Sequence, residues 1–185
     1  AVKDLSVRLS KRLKKYDKKG EEHYNLISAL HKSIRGSDPD AALYWLARIL
    51  DGGEDPRFIA RRLLRIALED VGLADPQAQS ICLYAWQSFE RLGSPEGELA
   101  LAQAALYLAL APKSNASYRS FNLSLDFVKQ TGSEPPPKHI LNAPTDLMKD
   151  QGYGAGYEYD HDNVDGFSGQ NYFPDKIDRV SAYQP

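Results

Sequence analysis

The residues of this 185-residue chain best suited to acid–base or metal chemistry stand together near its end: Glu158, Asp160, His161 and Asp162, hard oxygen donors with one imidazole. Near neighbours in sequence converge on one ion only where a turn is built for it. The expectation is therefore structural, with His161 hydrogen-bonded and the acids facing water or an arginine. Just upstream, GYGAGY at 152–157 is glycine-rich but lacks a phosphate loop's lysine and follows no strand pattern, so it reads as a tight turn bracketing tyrosines. His23 and His31, eight apart, share a helix face but are too distant for one metal; each is expected as a satisfied core or interface histidine. There is no GxxxxGK[ST], no HExxH and no cysteine pair for zinc, and nothing singles out a Ser/His/Asp triad. Catalytic, cofactor and metal residues are accordingly none, and by itself this stretch is not expected to be an enzyme.

Cations offer a different chemistry. Arg61, Arg62 and Arg65 fall on one side of a helical pattern, where guanidinium groups can neutralise phosphates without reading sequence. They can equally pair with Glu69, Asp70 or acids of a neighbouring helix. Lys11, Arg12, Lys14 and Lys15 are the other candidate nucleic-acid contacts, and they surround Leu5, Leu9 and Leu13 at helical spacing. Residues 1–20 carry eight Lys/Arg against two acids, and residues 150–185 carry two against seven, although the whole chain is only -2. A basic head of this kind meets phosphate, an acidic tail on another subunit, or simply solvent.

The elements that must position these groups are marked by repeated punctuation. Asp38-Pro39, Asp55-Pro56, Asp75-Pro76 and Ser94-Pro95 each place a capping side chain before a proline at a first helical position. Gly36, Gly52-Gly53, Gly72 and Gly93 fall just before those starts, where a left-handed C-terminal residue belongs. The predicted helices are 21–35, 39–50, 56–71, 76–92 and 95–110. Tyr118, Phe121, Leu125 and Val128 mark a sixth. Ala41–Leu50 and Leu99–Leu110 are apolar nearly all round and should be buried on several sides, and Tyr44, Trp45 and Trp86 are candidate oligomer anchors. The fold class is all-α, a multi-helix layered or orthogonal bundle with an irregular C-terminal arm.

After Thr131 the chain changes character. Glu134-Pro135-Pro136-Pro137 should run extended, and a short helix is expected over 144–151, with Asn142 or Ala143 at its start. The aromatic-rich remainder is expected to pack as an arm on the helical body or a neighbouring subunit. This gives three regions: 1–20, 21–132 as the helical body, and 133–185 as linker, short helix and arm. The longest apolar run, Leu99–Pro112, is broken by Gln103 and falls short of the roughly 20 residues a bilayer span needs. One cysteine, Cys82, excludes an intrachain disulfide, and no signal-peptide pattern opens the sequence. The expected location is cytoplasmic.

Several long strings carry a resemblance: HYNLISALHKSIRGSDPDAALYWLARIL at 23–50, GGEDP at 52–56, IARRLLRIALEDVGLADP at 59–76, RLGSPEGELALAQAALYLALAPKSNA at 91–116 and NAPTDLMKDQGYGAGYEYDHD at 142–162. Together they resemble the C-terminal region of the RarA family of AAA+ ATPases, also called MgsA, whose eukaryotic relative is Werner-helicase-interacting protein. The resemblance implies a collar of clamp-loader type that assembles a homotetramer, with residues 1–20 as the end of the ATPase lid. It implies a DNA-dependent ATPase at stalled or gapped replication forks, in the bacterial nucleoid, with ATP and magnesium in a core outside this chain. Single-stranded or gapped DNA and fork proteins such as single-stranded-DNA-binding protein are the implied partners.

Two other readings compete. A monomeric helical-repeat scaffold for protein partners fits helix starts 37 and 39 residues apart, although no repeat signature recurs. A metal-dependent hydrolase would have to use Glu158, Asp160, His161 and Asp162.

Overall fold

The computed structural model describes residues 21–185. The four positions of the basic head, Lys11, Arg12, Lys14 and Lys15, lie outside the described residues. Among the described residues the chain is helical, with no strand: α1 Glu21–Arg35, α2 Pro39–Asp51, α3 Pro56–Ile66, α4 Gln77–Leu92, α5 Glu98–Leu110, α6 Ala116–Thr131 and α7 Asp146–Asp150. The division between two compact units falls within α6, after Arg119.

In the first unit the aspartates cap as the sequence predicts. Asp38 accepts from Ala41 N at 2.9 Å, Asp55 from Arg57 N at 2.9 Å and Asp75 from Gln77 N at 3.1 Å, each beside a proline. The fourth start differs. Ser94 caps nothing, and α5 begins at Glu98 rather than Pro95 because 94–97 turn first, with Gly97 N donating to Gly93 O. A Cβ on Gly97 would stand 2.8 Å from Phe89 Cα, so only glycine lets this turn lie on the α4 backbone. The left-handed residue after α1 is Ser37, with φ 59°, rather than Gly36. Its neighbour Asp38 N closes back onto Ser33 O.

The core lies among α1 to α5. Leu30 and Ile34 of α1, Leu46 and Ile49 of α2, Ile59, Leu63 and Ile66 of α3, and Cys82 of α4 close around Leu101, Ala104, Ala105, Leu108 and Ala109 of α5. The alanines let four helices approach one, so α5 is the central rod, as its all-round apolarity predicts. Helix α2 does not follow that expectation. It buries one stripe, Ala42, Leu46 and Ile49, and leaves Tyr44 56% exposed.

The helix predicted over 56–71 stops being α-helical at Ile66. Ala67–Val71 widens into a π turn and Gly72–Ala74 tightens into a 3-10 turn. The Asp70 carbonyl is taken by Ser114 N at 2.8 Å, outside the helical ladder.

In the second unit, 120–184, irregular chain brings two aromatic rings together. Phe127 and Phe173 lie 6.5 Å apart, tilted at 57°, and Arg179 lies over Phe173. Helix α7 is shorter than predicted. Thr145, not Asn142 or Ala143, caps it by accepting from Met148 N. Helix α6 buries no side chain fully and leaves Phe121 65%, Leu125 43% and Val128 60% exposed.

Candidate functional site

The most connected polar site forms where α1 faces the π turn after α3. Asp70 continues the buried stripe Ile59, Leu63, Ile66 and is itself only 6% exposed, so its carboxylate enters the protein and must be paired. Its partners come from α1, one turn apart. His31 Nε2 lies 2.6 Å from Asp70 Oδ2, and Arg35 Nε donates to Oδ1 at 2.5 Å. A carboxylate only accepts, which assigns the proton to Nε2 and makes the imidazole the donor. Arg35 Nη2 also reaches Glu69 Oε1 at 3.2 Å, and Arg65 Nε donates to Glu69 Oε2 at 2.7 Å. Arg35 is raised above its ordinary range chiefly by its hydrogen bond to Asp70. His31, Glu69 and Asp70 offer ligand atoms within 4.8 Å of one another. The Arg35 guanidinium already answers both carboxylates, so the cluster is an ion-pair network.

The three predicted arginines do different things. Arg65 pairs with Glu69 and covers the Tyr118 ring at 5.5 Å. Arg61 and Arg62 each lie 5.9 Å from the Phe58 ring centroid, and no acid pairs with either among the described residues. Arg62, with Tyr24, Ile27, Ser28, His31, Lys32 and Arg35, lines a pocket of about 210 Å³ between α1 and α3.

His23 is a satisfied core histidine, as expected, 7% exposed with Nδ1 2.8 Å from Glu54 Oε2. The stretch 152–157 is a run of turns with Gly152, Gly154 and Gly156 all at positive φ. Asp160 accepts from Ser168 N at 2.8 Å, Ser168 Oγ at 2.7 Å and the Tyr172 hydroxyl at 2.7 Å. Those bonds, Ser168's first, hold its carboxyl below the usual range. Asp160 therefore ties a loop together, and the ligand atoms of Glu158, Asp160, His161 and Asp162 do not converge on a common point.

The family model described as the MgsA AAA+ ATPase C terminal matches residues 36–185. The chain belongs to that family. A second model, the AAA C-terminal domain, matches residues 1–35, so the border between the two falls where α1 ends. Replication-associated recombination protein A of Coxiella burnetii is 56% identical over 178 residues, which is 96% of this chain and 40% of that protein. The Escherichia coli K12 protein of the same name is 52% identical over 172 residues, 92% of this chain and 38% of its own length. ATPase WRNIP1 of Dictyostelium discoideum is 47% identical over 146 residues, 79% of this chain and 17% of its own length. This member of the MgsA C-terminal family thus spans about two fifths of the bacterial relatives named here.

The AAA+ ATPase family implies ATP and magnesium. The glycine-rich stretch spends its amides internally, Gly154 N on Lys138 O and Tyr157 N on Gly154 O. Of the anchors predicted for this family member, Trp45 and Trp86 pack on its own core, Trp86 Nε1 donating to Glu90, while Tyr44 stays outside against Trp45. No helix among the described residues is long and apolar enough to cross a membrane. No motif marks the Asp70 network as a unit; its signals in the sequence are an aspartate on an apolar stripe and a His–Arg pair four apart.

Proposed function

We propose that the chain is the self-association module of a AAA+ ATPase that acts in replication-associated recombination and repair of DNA. In this reading the helical body over 21–132 assembles a homotetramer, and ATP and magnesium bind in a core beyond these residues. Relatives named for replication-associated recombination support the process, and the matching AAA+ family models support the ATPase. The assembly reading rests on one observation: Phe121, Leu125 and Val128, one helical stripe, stay 65%, 43% and 60% exposed. A stripe at that spacing normally faces an apolar surface, and burying each such side chain stabilises by roughly 1.5–3 kcal/mol. A second copy supplies the same stripe by symmetry.

Auxiliary nucleic-acid contact through Arg61, Arg62 and the basic head, single-stranded-DNA-binding protein as a fork partner, and residence in the nucleoid complete the proposal. The test is absolute mass by light scattering after gel filtration over a hundredfold concentration range. The expected result is four times 20.7 kDa for the parent, falling toward the monomer for Phe121→Asp with Leu125→Asp. A parent that is monomeric at every concentration overturns the assembly reading.

A further inference from the structure

The pocket between α1 and α3 has a charge balance the ion-pair network does not use up. Glu69 and Asp70 are answered by Arg35, Arg65 and His31. Lys32 and Arg62, which line the same pocket, have no acid partner among the described residues, and Ser28 makes no side-chain hydrogen bond there. Arg62 is set over the Phe58 ring, so its planar fork is held before any ligand arrives. Tyr24 also lines the pocket, 68% exposed, its ring edge-on to His23 at 5.4 Å. Two cations without an acid partner among the described residues, with a hydroxyl in the same small concavity, suit an oxyanion. The cavity of about 210 Å³ is smaller than the roughly 300–1,000 Å³ of sites that enclose a whole small molecule, so it suits one group of a larger chain.

We propose that this pocket binds phosphate oxygens, and that the phosphate is a backbone phosphodiester of single-stranded nucleic acid whose base stacks on Tyr24. The proposal deepens the nucleic-acid part of the reading above and rests on it. An exposed ring beside a phosphate site is what single-strand binding uses, because every base has a π face.

The test is fluorescence anisotropy of a labelled 20-nucleotide oligothymidylate against the 185-residue chain across a salt series, with folding checked by circular dichroism. Lys32→Gln with Arg62→Gln is expected to weaken binding at least tenfold. It should also flatten the slope of log K against log salt by about 1.4, two single-strand phosphate contacts at about 0.7 each. Tyr24→Ala should weaken binding about tenfold and leave the slope unchanged.

Lys129→Gln with Lys149→Gln, two exposed cations that do not line the pocket, is the charge-matched control; a loss equal to the double variant's would mean a diffuse basic field and overturn the pocket. Inorganic phosphate or AMP binding more tightly than the oligonucleotide would assign the pocket to a free anion and overturn the nucleic-acid source. If the double variant binds as the parent does, the pocket falls while nucleic-acid contact stands. If the parent binds no oligonucleotide, both fall. Light scattering on the same samples reads self-association separately.

Discussion

Replacing Asp70 by alanine tests whether the network at the end of α3 holds the fold or decorates it. The carboxylate is 6% exposed and accepts from two side chains, while its main-chain carbonyl, bonded to Ser114 N, is untouched by the change. Breaking a fully buried ion pair costs about 3–5 kcal/mol. Arg35 tempers that figure, because its side chain is 48% exposed and can turn to water or to Glu69, leaving it in the surface range of about 0–1 kcal/mol. His31 cannot escape so easily at 13% exposure, and a buried donor without an acceptor costs about 1–3 kcal/mol.

The sum is about 1–4 kcal/mol, and its midpoint of about 2.5 kcal/mol corresponds to roughly 5–10 °C in Tm for a domain of this size. Glu69→Ala is the control. Its two partners are both about half exposed, at 48% and 53%, so its loss should stay near 1 kcal/mol or below. Urea unfolding at one fixed protomer concentration reads both, since self-association would make apparent stability depend on concentration. If Asp70→Ala costs no more than Glu69→Ala, the network contributes nothing beyond a surface pair, and burial has been given too much weight.

Gly97→Ala should destabilise by about 1–3 kcal/mol in the same assay, because the new Cβ meets two backbone atoms, Gly93 O and Phe89 Cα, both at 2.8 Å and neither able to rotate away. A neutral outcome would mean that the 94–97 turn shifts freely on α4. Cys82, 2% exposed and pushed by burial up to about 12, should resist iodoacetamide at pH 8 in the native state and react in urea. Rapid labelling without denaturant would contradict that burial. The Asp160 knot should survive mild acid. Its folded carboxyl is depressed relative to the unfolded one, so the contribution is present above about pH 3.9 and disappears as pH falls through the lower folded value. Hydrogen exchange at the Ser168 amide should therefore stay protected at pH 5, and losing that protection there would remove Asp160 as its anchor.

Helix positions were legible wherever one local rule decided them. Asp38, Asp55 and Asp75 cap as their Asp-Pro pairs predict, because a cap needs only its own next three residues. Ser94-Pro95 has the same local signal and fails, since the start of α5 is set by how closely Gly97 approaches Phe89, eight residues back on another helix. The π turn was no more legible: the Asp70 carbonyl within it is bonded by Ser114 N, forty-four residues further along, and no local rule announces that contact.

Function follows the same division. The spacing of Arg61, Arg62 and Arg65 predicts one cluster, yet the fold separates them by partner. Arg65 is held by Glu69, while Arg62 turns over Phe58 into a pocket completed by Lys32 from α1. One residue of the cluster is thus paired, and another has no acid partner among the described residues. The distinction depends on where Glu69 falls after the helix widens, a property of the turn that periodicity alone does not carry.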